Sequence, residues 1–292
     1  MEADYERIGA LFDALGRDEA RLSRLESQPN NARIRKLRLE LINSMFGAGS
    51  WLVHLGCGCG IETVELARSG CRLWGIDISP ALIARARERA RNAGLPEERV
   101  RFEVLPASRV EELSAEIPDQ RLTGALTSTR VLNLEPDLEG VKRGLSRLVR
   151  PSGRVMLFAL NRRSAFARFY HLAHLQPAKA RARLQEPATM TLSSIGEKGI
   201  PARYYDPQEL ADAFKPGFVV DRRFALTALT PGLDYGDVFE RHQRPASWLS
   251  TIDNAIRENL YTVLHSDAFV LVMRRESDEL AGRPHGPHWL AN

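Results

Sequence analysis

The amino-acid sequence predicts an α/β fold with a doubly wound, mostly parallel sheet. Short apolar runs alternate with helical segments from Trp51 to about residue 160, and a glycine-rich turn joins the first run to the first helix. Strands and helices that alternate in this way indicate parallel strands joined by crossover helices. Turn signals such as "RPSGR" and a helix-starting "SP" separate the segments.

The bulk composition is that of a soluble globular protein. With 292 residues, of which 43% are apolar, the chain is long enough for one large α/β domain with an appended cap. The net charge of +4 comes from scattered arginines without interleaved aromatics, so no nucleic-acid partner is expected. The sequence has no run of about 18 apolar residues and begins with an acidic, amphipathic segment. Neither a membrane span nor a signal peptide is therefore expected.

The three cysteines, Cys57, Cys59 and Cys71, do not form a disulfide framework because their number is odd and they cluster in one region. Their spacing also lacks the usual zinc half-site. We therefore expect reduced thiols, no metal and a cytoplasmic location.

Apolar residues in residues 1–46 have helical spacing, in two pieces that "SQPNNA" separates, and predict an N-terminal helical cap. Residues 47–276 form the predicted α/β domain. Residues 277–292 are polar and rich in proline and glycine, so a flexible tail is expected. His285 and His288 lie there, where an unstructured tail is favoured over a metal pair.

From Trp51 to residue 160, five strands and four helices are predicted. The strands are "WLVHL", "RLWGID", "VRFEVL", "GALTST" and "VMLFAL", and the helices are Ile61–Ser69, a segment from Pro80 that Gly94 ends, Val110–Glu116 and Asp137–Val149. Ser79 is the predicted N-cap of the second helix.

Beyond residue 160 the regular alternation breaks. Residues 161–200 contain no clear strand, and residues 161–205 are interpreted as a helical insertion that serves as a lid or contacts the substrate. "RYYDPQELADAF" then predicts a short strand and a helix. "FVVDRRFALTAL" and "DAFVLVMRR" predict two last strands, with a helix over Ser247–Leu264 between them.

The turn after the first strand carries glycines at positions 56, 58 and 60. Glycine permits positive φ and removes the Cβ that would block a ligand, and the following helix offers free N–H groups. A dinucleotide fingerprint needs its third glycine at the sixth position, where Ile61 stands, and no phosphate-loop Gly-Lys-Ser/Thr follows. The spacing therefore favours a nucleotide cofactor without a pyrophosphate.

Asp77 ends the second strand, in "WGIDIS". A carboxylate at this place can accept hydrogen bonds from ribose hydroxyls. The alternative is that Asp77 only caps the helix that starts at Pro80. Because Ser79 already fills that role, the ribose interpretation is preferred.

The stretch "VHLGCGCGIETVELARSGCRLWGIDISPALIARARERA" resembles the glycine motif and acidic strand end of the Rossmann-like (class I) S-adenosylmethionine-dependent methyltransferases. "LVRPSGRVMLFALNR" is similar to their fifth-strand entry. The resemblance covers about residues 45–160, and the two late strands fit the final antiparallel pair of that fold. It implies a seven-stranded sheet whose last strand is antiparallel, with S-adenosylmethionine as the cofactor over strands one, two and four.

By the same resemblance, the cofactor contacts follow the first four strands, and the adenine amine meets the segment Leu105–Ser108. The candidate cofactor-binding residues are His54, Gly56, Cys57, Gly58, Gly60, Asp77, Ile78, Ser79, Pro106, Ala107, Ser128, Thr129 and Arg130.

Two positions depart from the family pattern. Family members usually carry an acid at the place of His54, where it orients the amino-acid end of the cofactor, and often an aspartate at the place of Pro106. His54 can replace the acid as a neutral acceptor or can be a packed strand residue, and both interpretations stay open. These departures keep a catalytically weak or non-enzymatic partner or scaffold protein as the alternative function.

Methyl transfer from a sulfonium is an in-line displacement, in which positioning of the acceptor provides most of the acceleration. A base is needed only where the acceptor must lose a proton early. The N-terminal helices and the 161–205 insertion are the expected lids. The candidate catalytic residues are His171, Tyr204 and Tyr205, and the candidate substrate residues are Tyr5, Asn161, Arg162 and Arg203. For His171, a helix-surface position is favoured over a role as base.

The segment "TSTRVLNLEPD" lacks the Asn/Asp-Pro-Pro-Tyr/Phe motif of enzymes that methylate nucleic-acid amino groups, and it resembles the small-molecule members. We therefore expect an enzyme with a small-molecule acceptor and no nucleic-acid or membrane partner, with a homodimer as one option for its oligomeric state. Ile61 argues against a nicotinamide oxidoreductase, and RNA modification stays a minor alternative.

Overall fold

The computed structural model describes residues 2–186, 188–192, 197–241 and 243–277. The strands among these residues are β1 (Trp51–Leu55), β2 (Arg72–Asp77), β3 (Val100–Val104), β4 (Leu122–Thr127), β5 (Val149–Leu160), β6 (Ala188–Leu192), β7 (Glu197–Ala202), β8 (Phe218–Thr227) and β9 (Ala268–Arg275).

Helices alternate with these strands or flank them. They are α1 (Glu2–Arg17), α2 (Glu19–Ser27), α3 (Pro29–Met45), α4 (Ile61–Arg68), α5 (Pro80–Asn92), α6 (Val131–Leu134), α7 (Leu138–Leu148), α8 (Ala165–Ala173), α9 (Pro177–Arg181), α10 (Pro207–Ala213), α11 (Gly236–Arg241), α12 (Gln243–Ile256) and α13 (Leu260–His265). The segment Ala107–Ala115, expected as a short helix over Val110–Glu116, is a 3₁₀ helix.

The main sheet has seven strands in the order β3-β2-β1-β4-β5-β9-β8. Strands β1 to β5 pair in parallel, and β9 runs antiparallel to both β5 and β8. The predicted fold class, a mostly parallel seven-stranded sheet with an antiparallel last strand, is therefore confirmed.

Helices cover both faces of this sheet, because successive strand residues point to opposite sides. Leu52 of β1 packs in the core that α3, α4 and α5 cover, whereas its neighbour Val53 packs in the core of α7, α10 and α13. Because β1 to β5 are parallel, their carboxyl ends lie at the same edge of the sheet. In open α/β sheets this edge is where ligands bind.

The N-terminal cap has three helices rather than the two expected pieces. Asp18 starts the additional helix by accepting a hydrogen bond from Arg21 N at 2.9 Å. Gln28 ends α2, and Pro29 stands in the first turn of α3. A single capping side chain therefore splits a segment whose apolar spacing alone indicated one helix.

The prediction that residues 161–200 contain no strand is wrong. Strands β6 and β7 form an antiparallel hairpin in which Met190 pairs with Ile200, and both side chains are buried. Each strand is too short for its alternation to stand out in the sequence. Conversely, the strand expected in "RYYD" is only a single bridge between Tyr205 and Asn161.

Near the C-terminus, the single helix expected over Ser247–Leu264 is two helices, α12 and α13. Asn259 begins the second by accepting a hydrogen bond from Thr262 N. Of the predicted tail 277–292, residues 278–292, with His285 and His288, lie outside the described residues. No helix in the described part of the chain is both long and apolar enough to cross a membrane.

Candidate functional site

The glycine turn between β1 and α4 has a conformation that needs glycine. Gly56, Gly58 and Gly60 have φ values of +68°, +54° and +77°. A Cβ on Gly56 would lie 2.0 Å from Val131 Cγ2, so this position brings two segments of backbone together. A Cβ on Gly58 would meet no atom of the described chain within 4 Å. Gly58 therefore faces open space that a ligand can fill.

Asp77 joins this turn to the end of β2. Its Oδ2 accepts a hydrogen bond from Gly58 N at 2.9 Å, and its Oδ1 accepts one from Ser79 N at 3.0 Å. Burial raises the pKa of Asp77, and these backbone donors oppose the rise. Because a carboxylate oxygen can accept about two hydrogen bonds, each oxygen keeps acceptor capacity for a ligand such as a sugar hydroxyl.

A first cavity of about 280 Å³ lies between the glycine turn and the N-terminal cap. Its walls are largely apolar, with the Asp77 carboxylate at one side. The residues around it are Tyr5, Ile8, Phe12, Leu15, Leu22, Gly56, Gly58, Cys59, Asp77, Ile78, Leu82, Leu105, Pro106, Ala107, Ser128, Thr129, Arg130, Val131, Leu134 and Glu135. Most candidate cofactor residues thus meet around one space, whose apolar walls and carboxylate suit a purine ring and its sugar.

A second cavity of about 210 Å³ lies beside the first one and shares Gly56, Gly58, Cys59 and Ser128 with it. Cys57, another candidate, lines this cavity. The two cavities together form an elongated site across the glycine turn.

The second cavity contains a buried ion pair that the sequence analysis missed. Arg38 Nη2 lies 2.9 Å from Glu62 Oε2, and Arg38 Nη1 donates to Thr129 Oγ1 at 2.8 Å. Arg38 Nε has no hydrogen-bond partner within the described residues. A guanidinium beside a carboxylate suits the carboxylate and ammonium of an amino-acid group. The available signal was a cation on the apolar face of α3, between Leu37 and Leu41.

His54 is buried and does not line either cavity. Its Nδ1 lies 2.9 Å from Thr63 Oγ1, and its Nε2 lies 3.0 Å from Ser128 Oγ. Burial and the nearby Arg38 charge lower the pKa of His54 to about 3, so the imidazole is neutral. His54 therefore bridges α4 to the segment after β4, and its link to the cavities passes through Ser128.

Helix α1 forms one wall of the first cavity. The hydroxyl of Tyr5 lies 2.6 Å from Ser108 Oγ and donates to Glu135. At the other end of the helix, Asp13 accepts a hydrogen bond from Ala81 N at 2.8 Å, in the first turn of α5. These contacts hold α1 across the site, in the position expected of a lid.

A third cavity of about 500 Å³ adjoins the first one, with Ile8, Leu134 and Glu135 as shared walls. Arg203 and Tyr205, which are candidate substrate and catalytic residues, line it. The sequence analysis did not identify Glu135 as a site residue, although the sequence shows this acid in the segment after β4. Burial raises its pKa, and its hydrogen bond to Tyr5 is the strongest of the effects that oppose the rise.

Other candidate residues have structural partners away from these cavities. Asn161 is buried at the end of β5 and donates to the carbonyl oxygens of Val263 and Leu264. Arg162 pairs with Glu186 and Glu209. Gly60 and Ser79 begin α4 and α5, respectively.

Tyr204 and His171 contact side chains of the insertion and of the segment after β8. The guanidinium of Arg183 stands over the Tyr204 ring at 5.0 Å, and His171 Nε2 lies 3.3 Å from the Tyr235 hydroxyl. Neither side chain lines the three cavities. In the described part of the chain, no group of three or more His, Cys, Asp or Glu residues is placed to hold a metal ion.

Comparison with known proteins connects this geometry to a family. A methyltransferase domain family matches residues 52–153. The chain is 32% identical over 131 residues to a ubiquinone biosynthesis O-methyltransferase from Aeromonas salmonicida, covering 44% of this chain and 52% of that protein. The corresponding enzyme from Bordetella pertussis is 31% identical over 163 residues, covering 55% and 62%. The chain thus spans about half to three-fifths of the length of these curated relatives.

Solved structures share the fold. A SAM-dependent methyltransferase from Methanosarcina mazei aligns with a TM-score of 0.54 at 19% identity, covering 82% of this chain and 98% of its own. A geranyl diphosphate C-methyltransferase from Streptomyces coelicolor gives a TM-score of 0.52 at 18% identity, covering 84% and 80%. The matched segment, the glycine turn and the strand order together identify residues 52–153 as a methyltransferase domain of the class I type, whose cofactor is S-adenosylmethionine.

Proposed function

We propose that the protein binds S-adenosylmethionine across the glycine turn and transfers its methyl group to a small-molecule acceptor in the third cavity. The observation that carries this proposal is the pair of joined cavities, one apolar with a carboxylate and the other with a buried Arg–Glu pair. An adenosine and an amino-acid group, linked by a sulfonium, have matching chemistry.

Different side chains contact the adenosine end and the amino-acid end of the cofactor. Asp77 accepts hydrogen bonds from the ribose, and Ile78 and Pro106 pack on the adenine. Arg38 binds the methionyl carboxylate and Glu62 the ammonium, which gives the site an acid although His54 stands at the usual position. Bound there, the cofactor supplies a methyl group on a good leaving group.

The remaining work of the protein is to hold the acceptor in line and to exclude water. Helix α1 and its Tyr5 contacts close the first cavity. Arg203 and Tyr205 offer polar contacts to an acceptor in the third cavity. Its volume of about 500 Å³ lies within the range of about 300–1,000 Å³ that is usual for ligand pockets.

Oxygen is the proposed accepting atom, because the curated relatives carry the name O-methyltransferase. A hydroxyl acceptor must lose its proton during transfer. Glu135 stands in the wall between the first and third cavities. A carboxylate with a raised pKa at that place is suited to take the proton.

Calorimetric titration with S-adenosylmethionine and S-adenosylhomocysteine tests the cofactor part of the proposal. We expect saturable binding of both compounds, and no heat at millimolar ligand would reject the proposal. Release of S-adenosylhomocysteine in the presence of phenolic and other hydroxylated acceptors tests the transfer. Binding without turnover across such a set would favour the non-enzymatic alternative.

A further inference from the structure

Helix α8 of the insertion presents an apolar face to solvent. Phe169 is 77% exposed and Leu172 is 53% exposed. The opposite side of the helix explains its position in the fold, because the Tyr170 and His171 rings lie 5.0 and 6.0 Å from the ring of Tyr235. The packed core therefore does not account for the outer face.

Leu175 extends this apolar face beyond the end of α8. Its side chain is 90% exposed, and its backbone has φ +55°, a conformation that usually belongs to glycine or asparagine after a helix. An exposed leucine at a strained position improves neither solubility nor local backbone energy. This position therefore points to a contact outside the chain.

Positive charge surrounds the apolar face. The sequence from residue 164 to residue 185 contains no aspartate or glutamate. Arg168, Lys179 and Arg181 are exposed there, and they make no ion pair with the described residues. The other arginine of the segment, Arg183, pairs with Asp267, and Arg163, directly before the segment, pairs with Asp206. The three unpaired cations are available for an external anion.

We propose that this surface, formed by Arg168, Phe169, Leu172, Leu175, Lys179 and Arg181, docks on an anionic lipid bilayer. Exposed phenylalanine and leucine beside basic residues are the composition of helices that lie in a membrane interface. The basic groups are attracted to anionic headgroups, while the leucines and phenylalanine enter the apolar boundary. The expectation of no membrane partner rested on the lack of a spanning segment, and a peripheral contact needs none.

The surface is close to the proposed site. Tyr235, on which α8 packs, follows Asp234, and Asp234 pairs with Arg130 in the wall of the first cavity. Provided that the proposed function holds, docking would bring the acceptor side to the bilayer and favour a lipophilic acceptor. The docking itself is independent of catalysis, so it can be measured alone.

Co-sedimentation of the full chain with vesicles tests this proposal. We expect binding to vesicles of phosphatidylcholine with one part in three phosphatidylglycerol, and much weaker binding to phosphatidylcholine alone. Each basic group contributes about fivefold, so Arg168→Gln/Lys179→Gln/Arg181→Gln should weaken binding by about 100-fold. The variant Phe169→Ser/Leu172→Gln/Leu175→Gln should lose binding as well.

A matched control is Leu260→Gln/Tyr261→Ser on α13, which removes two other exposed apolar side chains, at 60% and 72% exposure. It should bind vesicles like the unaltered protein. Cofactor titration of every variant shows that the fold persists, and it separates failure of docking from failure of the proposed function.

Two results would overturn the proposal. One is that the unaltered protein does not co-sediment with anionic vesicles, or that both surface variants bind these vesicles as well as the unaltered protein does. The other comes from sedimentation velocity: a dimer that the apolar variant dissociates, without vesicle binding, would assign the surface to self-association.

Discussion

The two halves of the sheet edge build their parts of the site in different ways. After β1, β2 and β3, the site consists of short turns whose residues are adjacent in sequence, such as the glycine turn and Asp77. After β4 and β5 and beside β8 and β9, it consists of side chains from distant segments. Arg130, for example, pairs with Asp234, which is 104 positions away. The first half depends on backbone conformation, and the second on tertiary packing.

The insertion shows how long-range packing defines the second half. Arg183 lies 2.8 Å from Asp267 and 3.6 Å from Asp234. Asp267 comes directly before β9, and Asp234 lies between β8 and α11. Three segments that are far apart in sequence thus meet through alternating charges. We expect substitutions in the first half to affect the cofactor and those in the second half to affect the acceptor.

Arg38 gives the largest expected effect because it contacts both halves. It pairs with Glu62 of α4, donates to Thr127 O, and stands over the Phe158 ring at 4.3 Å. Arg38→Met should lower the free energy of unfolding by about 3–5 kcal/mol, since it leaves a buried carboxylate unpaired. Urea unfolding measures this loss of stability. Cofactor titration measures the loss of affinity that we expect when Arg38 no longer binds the methionyl carboxylate.

The double variant Arg38→Met/Glu62→Met sharpens this test. It should recover most of the stability, because an apolar pair replaces a buried ion pair at little cost. It should not recover cofactor affinity if the pair binds the amino-acid group. Recovery of both would show that the pair is only structural.

Glu135→Gln tests the role of Glu135, which lies in the wall between the first and third cavities. The raised pKa of Glu135 means that the carboxylate takes up a proton at a higher pH than usual. As a base it works only when deprotonated, so kcat should fall as the pH decreases through that pKa. The variant should lose this pH dependence and about 100-fold in kcat.

Glu139→Gln is the control for this prediction. Glu139 also lines the third cavity, but its side chain is 68% exposed. Its pH profile should match that of the unaltered protein. An unchanged profile in Glu135→Gln would contradict the assigned role.

Gly58→Val tests the first half alone, with Gly94→Val as its match. Both positions have positive φ, +54° and +66°, and neither Cβ would meet an atom of the described chain within 4 Å. Their backbone strain should therefore be similar. Only the valine at 58 enters the cavities, and crowding there should weaken cofactor binding by about 1–3 kcal/mol. Equal affinities in calorimetry would indicate that the ligand does not lie against Gly58.

Arg203→Ala gives the smallest expected effect, and it should be confined to the second half. The side chain is 60% exposed and pairs with Glu209, so its contribution is weak. KM for the acceptor should rise about threefold, with cofactor affinity unchanged. Arg163→Ala, at a 58% exposed ion pair outside the three cavities, should leave both constants unchanged. Steady-state kinetics distinguishes the two variants.

The difference between the halves also explains which predictions from sequence succeeded. The strands β1 to β5 and the glycine turn follow from local patterns, since strand, turn and cap each have a signature within a few residues. The hairpin β6–β7 was missed because its strands are short, and its burial depends on the insertion around it. Arg38 was missed because a single cation on a helix face does not reveal its partner.

The fold class, the glycine turn and the acid at the end of β2 could be predicted from the amino-acid sequence, because alternating apolar runs and glycine spacing are local properties of the chain. The partners of His54, the Arg38–Glu62 pair and the cavity walls at Glu135 become apparent only in the folded chain. Those depend on side chains that meet across 9 to 130 positions, and a buried charge is acceptable only where its partner is in place.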